Sequence, residues 1–182
     1  MNHQEDLKLV RPAAALQPSY EAYVRAFPEG AEIPGNSAMA ACLADAPSFG
    51  RAVERCLGFA DGTDLPEGWV CCEAWWLVRN GNEIVGTIDL RHSLTPFLES
   101  EGGSIGYAVH PDSRNRGYAT EMLREVLQRA RRRGTRRVLV TCDQQNAASA
   151  AVIRKCGGVL ENEVPSVLEG REVTQRYRID LR

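Results

Sequence analysis

The sequence predicts an α+β fold, mixed α/β in its order. Three observations carry that expectation. Two β-rich runs, "CCEAWWLV" and "EIVGTIDLRH", meet at "RNGN", and Asn-Gly between such runs is the strongest short hairpin signal. A strand-like "SIGYAV" leads through the loop "HPDSRNRG" into a long amphipathic stretch. A short apolar run, a second helical stretch and two more strand-like runs follow. The predicted order is helices early, then β-β-β-α-β-α-β-β.

"LKLVRP" alternates and reads as a first strand. "PSYEAYVRAF" sets Tyr20, Tyr23, Val24 and Phe27 at helical spacing. "PEGAEIPGNS" reads as loop, with a short helix at "SAMAACLA". "SFGRAVERCLGF" is a further helix with Ser48 as N-cap, and "DGTDLPEG" is loop. In the second hairpin strand, Ile84, Gly86, Ile88, Leu90 and His92 are expected on one face, and Val85, Thr87, Asp89 and Arg91 on the other. "SLTPFLESEGG" is a linker long enough to lie over a site. From Gly117 a helix begins, with Ala119, Met122, Leu123, Val126, Leu127 and Ala130 as one apolar stripe. Glu125 and Arg129 form an i,i+4 pair on it, and Gly134 stops it. "RRVLVTC" has the continuous apolar character of a strand buried on both faces. "NAASAAVIRKC" is a helix with Asn146 near its cap, and "GVLENEV" and "REVTQRYRIDL" are strands joined by a turn near "EG".

The 182 residues suit one domain over 1–182, and 43% hydrophobic with 25% charged residues is the balance of a soluble globular protein. A net charge of −2 gives no reason to expect nucleic acid or an anionic membrane as partner. The arginine run "RARRRGTRR" reads as a solvated helix end whose cations suit the C-terminal dipole. Residues 1–12 are polar where a signal peptide would be apolar, so none is expected. No apolar run approaches the roughly 20 residues needed to span a bilayer. Cys42, Cys56, Cys71, Cys72, Cys142 and Cys156 form no CxxC pair and only three histidines accompany them, so no metal site is expected. Reduced, mostly buried thiols and a cytoplasmic setting follow.

The stretch "RNRGYATEM" opens the long helix. The first turn of a helix has N–H groups without intrahelical partners, and the helix dipole adds partial positive charge there. Gly117 lets an anion approach the backbone, Ala119 keeps the next turn small, and Arg114 and Arg116 add full charges. The set makes a pyrophosphate cradle. It is not a P-loop, because no Gly-Lys occurs, and the glycine spacing fails the Rossmann fingerprint. The pattern is Arg-x-x-Gly-x-Ala.

In this context the chain resembles the Gcn5-related N-acetyltransferases, in a bacterial branch of that family. The family's [Gln/Arg]-x-x-Gly-x-[Gly/Ala] motif is matched by Arg114, Gly117 and Ala119, and its preceding Val-x-Pro by Val109 and Pro111. "NxxS" at Asn146 to Ser149, closing in "KCGG", resembles the second cofactor segment. "RH" at 91–92, "GG-x-IGY" and "GGVLENEV" point to the same branch. The match covers about 103–163. The resemblance implies a central, mostly antiparallel, splayed sheet flanked by helices, with acetyl-CoA as co-substrate. Its pantetheine would pair with the strand Ser104 to Val109 through Ala108 and Val109, with Tyr107 beside them. The amides of Arg114, Asn115, Arg116, Gly117, Tyr118, Ala119 and Thr120 would hold the pyrophosphate. Asn146 and Ser149 would touch the pantetheine arm, and Arg154 or Lys155 would reach the phosphates.

The activity so implied is N-acetyl transfer to a primary amine of a small molecule or peptide. The amine must lose a proton, so a base is useful. Candidates are Glu101, His92 and Asp89; histidine has the right unperturbed pKa, and an aspartate within an apolar strand is unusual. The family's usual acidic tyrosine is missing, with Ile153 at its place, which leaves Ser149, Tyr107 or solvent to protonate the thiolate. Trp75 and Trp76 read as core more readily than as pocket lining, and Cys142 as a packed thiol. The alternative is a non-catalytic acyl-CoA-binding sensor or interaction module. The N-terminal helices and the linker at 93–102 would shape the acceptor site, and edge strands near the C-terminus leave room for a homodimer.

Overall fold

Seven strands form two antiparallel sheets whose neighbouring edges diverge. The computed structural model describes residues 5–181; the first four residues of the polar opening stretch lie outside the described residues. One sheet has the order β1 (Leu7–Val10), β2 (Cys72–Arg79), β3 (Glu83–Arg91), β4 (Ile105–Val109). The other places β7 (Val173–Asp180) between β5 (Arg137–Asp143) and β6 (Val159–Pro165). The helices are α1 (Gln17–Arg25), α2 (Ser37–Asp45), α3 (Phe49–Gly58), α4 (Tyr118–Arg132) and α5 (Ala147–Lys155), in the order the sequence predicts. The linker before β4 winds into one π-helical turn, Leu98–Gly102.

The two sheets meet at one place. The Ser104 N–H donates to the Leu139 carbonyl at 2.6 Å, and the Leu139 N–H donates to Ser104 Oγ at 3.1 Å. Beyond this joint β4 and β5 carry no shared ladder and open as a wedge. The Arg91 N–H donates to the Ser104 carbonyl and the His110 N–H to the Val85 carbonyl. The even-numbered residues of β4 therefore bond toward β3. By the alternation of an antiparallel ladder, Ile105, Tyr107 and Val109 turn their main chain into the wedge.

Adjacent tryptophans serve opposite faces of the first sheet. Trp75 packs with Leu77, Ile88, Met122 and Val126 beneath α4, in a core that also takes Val138, Val140 and Tyr177 from the second sheet. Trp76 packs with Tyr20, Phe49, Val53 and Phe59 beneath α1–α3. Both are 1% exposed, and truncating either side chain would cost roughly 3–5 kcal/mol.

Two expectations need correction. Val78 pairs with Ile84 and Leu77 with Gly86, so Val85 is a bulged residue. A bulge reverses the facing of what precedes it: Ile84 packs under the N-terminal helices, whereas Val85 joins Ile88 and Leu90 on the α4 side. Strand β5 is not buried on both faces. Val138, Val140 and Cys142 are buried, but Leu139 and Thr141 are only half-buried, because that face lies at the wedge.

Local signals elsewhere act as the sequence indicates. Ser48 Oγ accepts from the Arg51 N–H at 3.3 Å and caps α3. Asn80 and Gly81 take φ of 51° and 80°, the left-handed pair a tight hairpin turn requires. The apolar stripe of α4 is buried from Met122 to Ala130, and Glu125 pairs with Arg129.

Candidate active site

The cradle forms where β4 hands over to α4. Arg114 ends a short 3-10 turn, Asn115 takes φ of 62°, and Gly117 takes φ of 84° as the residue before α4. The left-handed turns aim successive N–H groups outward. Among the described residues, none of the six backbone N–H groups of 115–120 donates a hydrogen bond. A Cβ added at Gly117 would meet nothing within 4 Å, so the glycine is there for its backbone angle, and its face is open. A 360 Å³ cavity lies against it, lined by Arg116, Gly117, Tyr118, Thr120, Arg124 and Lys155 among others. Arg116 also reaches Glu5 at 3.3 Å, and the buried Tyr118 hydroxyl donates to the same carboxylate. Arg154 turns away, bonding the Tyr177 hydroxyl at 3.2 Å.

A larger cavity of 680 Å³ occupies the wedge and the space in front of β3. Tyr107, Cys142, Asn146 and Ser149 line its inner end. The Asn146 side chain accepts from the Ser149 N–H at 3.0 Å and so caps α5. The cap fixes Ser149, whose hydroxyl pairs with that of Tyr107 at 2.8 Å. Burial raises the Tyr107 phenol above its ordinary value against that hydrogen bond, so it stays protonated at neutral pH. Burial likewise raises the Cys142 thiol, which disfavours the thiolate. Ala108 turns the other way: its carbonyl accepts from the Tyr23 hydroxyl at 3.2 Å. Ile153 is fully buried in the core and does not line the cavity.

The three carboxylate and histidine candidates part company. Asp89, 2% exposed, lines the cavity. Its Oδ1 accepts from the Gly106 N–H at 2.9 Å and its Oδ2 from Arg91 at 3.2 Å. Burial raises its pKa against both of those interactions. Glu101, 3% exposed, also lines the cavity. Its carboxylate accepts from Thr174 at 2.6 Å, the Val167 N–H at 2.9 Å and Ser166 at 3.0 Å, with Arg171 at 3.6 Å. Burial works to raise it, but these donors outweigh burial and hold it below the usual range. Glu101 thus ties the linker to the β6–β7 connection. His92 lies outside the cavity lining and bonds Glu73 at 3.1 Å, beside Arg11 and Arg133 on the same carboxylate.

The structure adds residues that local reading missed. Pro34 and Gly35 lie across β3 and β4: the Pro34 carbonyl accepts from Thr87 at 3.1 Å. A Cβ at Gly35 would sit 2.7 Å from Ile88 Cα and 2.8 Å from the Gly106 carbonyl oxygen. Glu32, Trp69, Glu169 and Arg171 join the larger cavity from loops and the ends of strand-like runs, and Phe97 joins it from the linker at 93–102. Arg124 joins the smaller cavity from the polar side of α4.

Comparison with known proteins bears on the family and the fold. No curated protein matches the chain by sequence. An acetyltransferase of the GNAT family from Bacillus anthracis is 25% identical, over 59% of this chain and 66% of that one, with a TM-score of 0.50. The microcin C7 self-immunity acetyltransferase MccE, in complex with acetyl-CoA and AMP, is 15% identical over 96% and 92% of the two chains, with a TM-score of 0.60. RimL, a ribosomal L7/L12 alpha-N-protein acetyltransferase in complex with coenzyme A, is 19% identical over 97% and 96%, with a TM-score of 0.62. The last two show a shared fold. The model of the acetyltransferase (GNAT) domain matches residues 34–159, from the segment lying on β3 through the cradle to the start of β6, and the chain belongs to that family of acetyltransferases.

Proposed function

We propose that the chain transfers the acetyl group of acetyl-CoA to a primary amine by direct attack. The observation that carries the reading is the run of unbonded amides at 115–120, set beside a wedge whose β4 edge faces inward. The amides and the α4 dipole suit the pyrophosphate. The main chain of Tyr107 and Val109 suits the amide groups of pantetheine, which would lie along β4 as an added strand. Ala108, whose main chain points toward β3 and Tyr23, would contribute by position rather than by hydrogen bonding.

In the reaction the amine nitrogen attacks the thioester carbonyl carbon. The resulting oxyanion would be met by N–H donors of the β4 edge. The C–S bond then breaks, and the thiolate takes a proton. The Tyr107–Ser149 hydroxyl pair stands at the inner end of the cavity and is the proton source we assign. Asp89 is the carboxylate we assign to take the proton that the ammonium must lose before attack: it lines the cavity, and burial disfavours its charged form. Glu101 keeps the cavity wall in place, and His92 stands outside it on Glu73.

Calorimetric titration of acetyl-CoA and CoA into the wild type and Gly117→Trp tests the reading, with circular dichroism reporting the fold. Binding to the wild type and loss in a folded variant are expected. Absence of binding to the wild type sinks the proposal. A thiol-release screen over amines then identifies turnover.

A further inference from the structure

The larger cavity carries information about the acceptor, and the inference rests on the acetyl-transfer reading above. Five carboxylates line it: Glu32, Asp89, Glu101, Asp143 and Glu169, against two guanidiniums, Arg91 and Arg171. Both guanidiniums are already engaged. Arg91 donates to Asp89 at 3.2 Å and to the carbonyls of Gly102 and Gly103 at 2.6 and 3.1 Å. Arg171 stands 3.6 Å from Glu101 and 3.8 Å from Asp143. Glu32 and Glu169 have no ion-pair or hydrogen-bond partner among the described residues. Glu32 lies close enough for its charge to add to the raising of the Asp89 pKa. A cation entering here meets unpaired negative charge, whereas an anion meets no free positive group.

The same cavity has an aromatic mouth. Trp69 is 39% and Phe97 52% exposed, although both are large and apolar. The ring of Trp69 packs edge-on against the buried Phe59 at 5.9 Å between centroids and leaves part of its surface exposed. Leu168 adds a further apolar lining side chain. Exposed aromatic surface at a concave site fits an apolar body and a cation together.

We propose that the acceptor is an amine carried as a cation on an apolar, aromatic body, with no carboxylate or phosphate near the nitrogen. The test is equilibrium binding of three probes to the full chain loaded with CoA: phenethylamine, ethylamine and L-phenylalanine. Ethylamine removes the ring, and phenylalanine adds a carboxylate beside the same amine. Phenethylamine is expected to bind about tenfold or more tightly than either. In Glu32→Gln/Glu169→Gln, two exposed substitutions, its advantage over phenylalanine should shrink to about twofold. In Trp69→Ala, its advantage over ethylamine should shrink likewise. Equal binding of phenethylamine and phenylalanine, or of phenethylamine and ethylamine, or no binding of any probe, overturns the proposal. The expected binding pattern without acetyl transfer would count against the reaction and leave this specificity standing. Efficient transfer to phenylalanine would do the reverse.

Discussion

The helix after β4 meets the cavities with main chain, whereas the segments before β2 meet them with side chains. On the α4 side, the groups proposed to recognise the donor are consecutive amides set by the left-handed angles of Asn115 and Gly117. On the α1–α3 side, the cavity wall is assembled from Glu32, Pro34 and Trp69, which are scattered along the chain and line one cavity with Asp89 of β3. A backbone cradle tolerates wide side-chain change but not a change of φ. A side-chain wall keeps its shape through distant contacts and can be retuned one residue at a time.

The sharpest way to break this contrast is Gly117→Trp. It should weaken acetyl-CoA binding by about a hundredfold or more, because the indole would fill the open face and the residue would leave its left-handed angle. Retained binding in calorimetry would show that the cradle is not made by backbone.

Next is Glu101→Ala. It strands the Thr174 hydroxyl, the Val167 N–H and Arg171, and should cost about 3 kcal/mol in urea unfolding. The sign of its pH dependence is fixed by its lowered pKa. The stabilisation is present above the unfolded value of about 4.3 and is lost as pH falls through the folded value. Wild type and Glu101→Gln should therefore converge in stability on acidification below about pH 4. A constant difference across that window would contradict the assignment.

Tyr107→Phe and Ser149→Ala divide the hydroxyl pair. Each should lower kcat about tenfold to a hundredfold while leaving the Kd for CoA within about threefold, since the variants spare the amides proposed to hold the cofactor. An unchanged kcat in both would pass the proton step to solvent. His92→Asn is the smallest effect. With the imidazole outside the cavity on Glu73, kcat/KM should stay within about twofold, a difference of about 0.4 kcal/mol. A hundredfold fall would bring the histidine into the chemistry.

The same contrast explains what was legible in the sequence. Cradle and capping signals are local: Arg114, Gly117 and Ala119 lie within six residues, and Asn146 caps the helix that Ser149 enters. Periodicity placed every strand and helix in order, because the apolar stripe of α4 and the Asn-Gly hairpin are short-range patterns. The Val85 bulge escaped it, since period-two reading assumes an unbroken ladder and only the pairing with β2 reveals the extra residue. Glu101 read as a candidate base beside β4, and its tying role was hidden because its donors stand 65 to 73 positions away. The N-terminal segments and the linker at 93–102 were expected to shape the acceptor site, but the individual residues of the larger cavity's wall escaped for the same reason. Nothing near Glu32 or Trp69 in the chain says that they will face Asp89.

The joint at Ser104 and Leu139 carries a last consequence. Two half-sheets held there, and by the core under α4 and α5, form a structure whose middle seam is only partly stitched. A donor molecule lying along β4, as proposed, would then be mortar as well as reagent. At a hundred times its Kd it would add about 2.7 kcal/mol to the folded state. The lifetime of such a protein in a cell would follow its supply of donor: well-fed cells would retain the enzyme, and starved cells would clear it first.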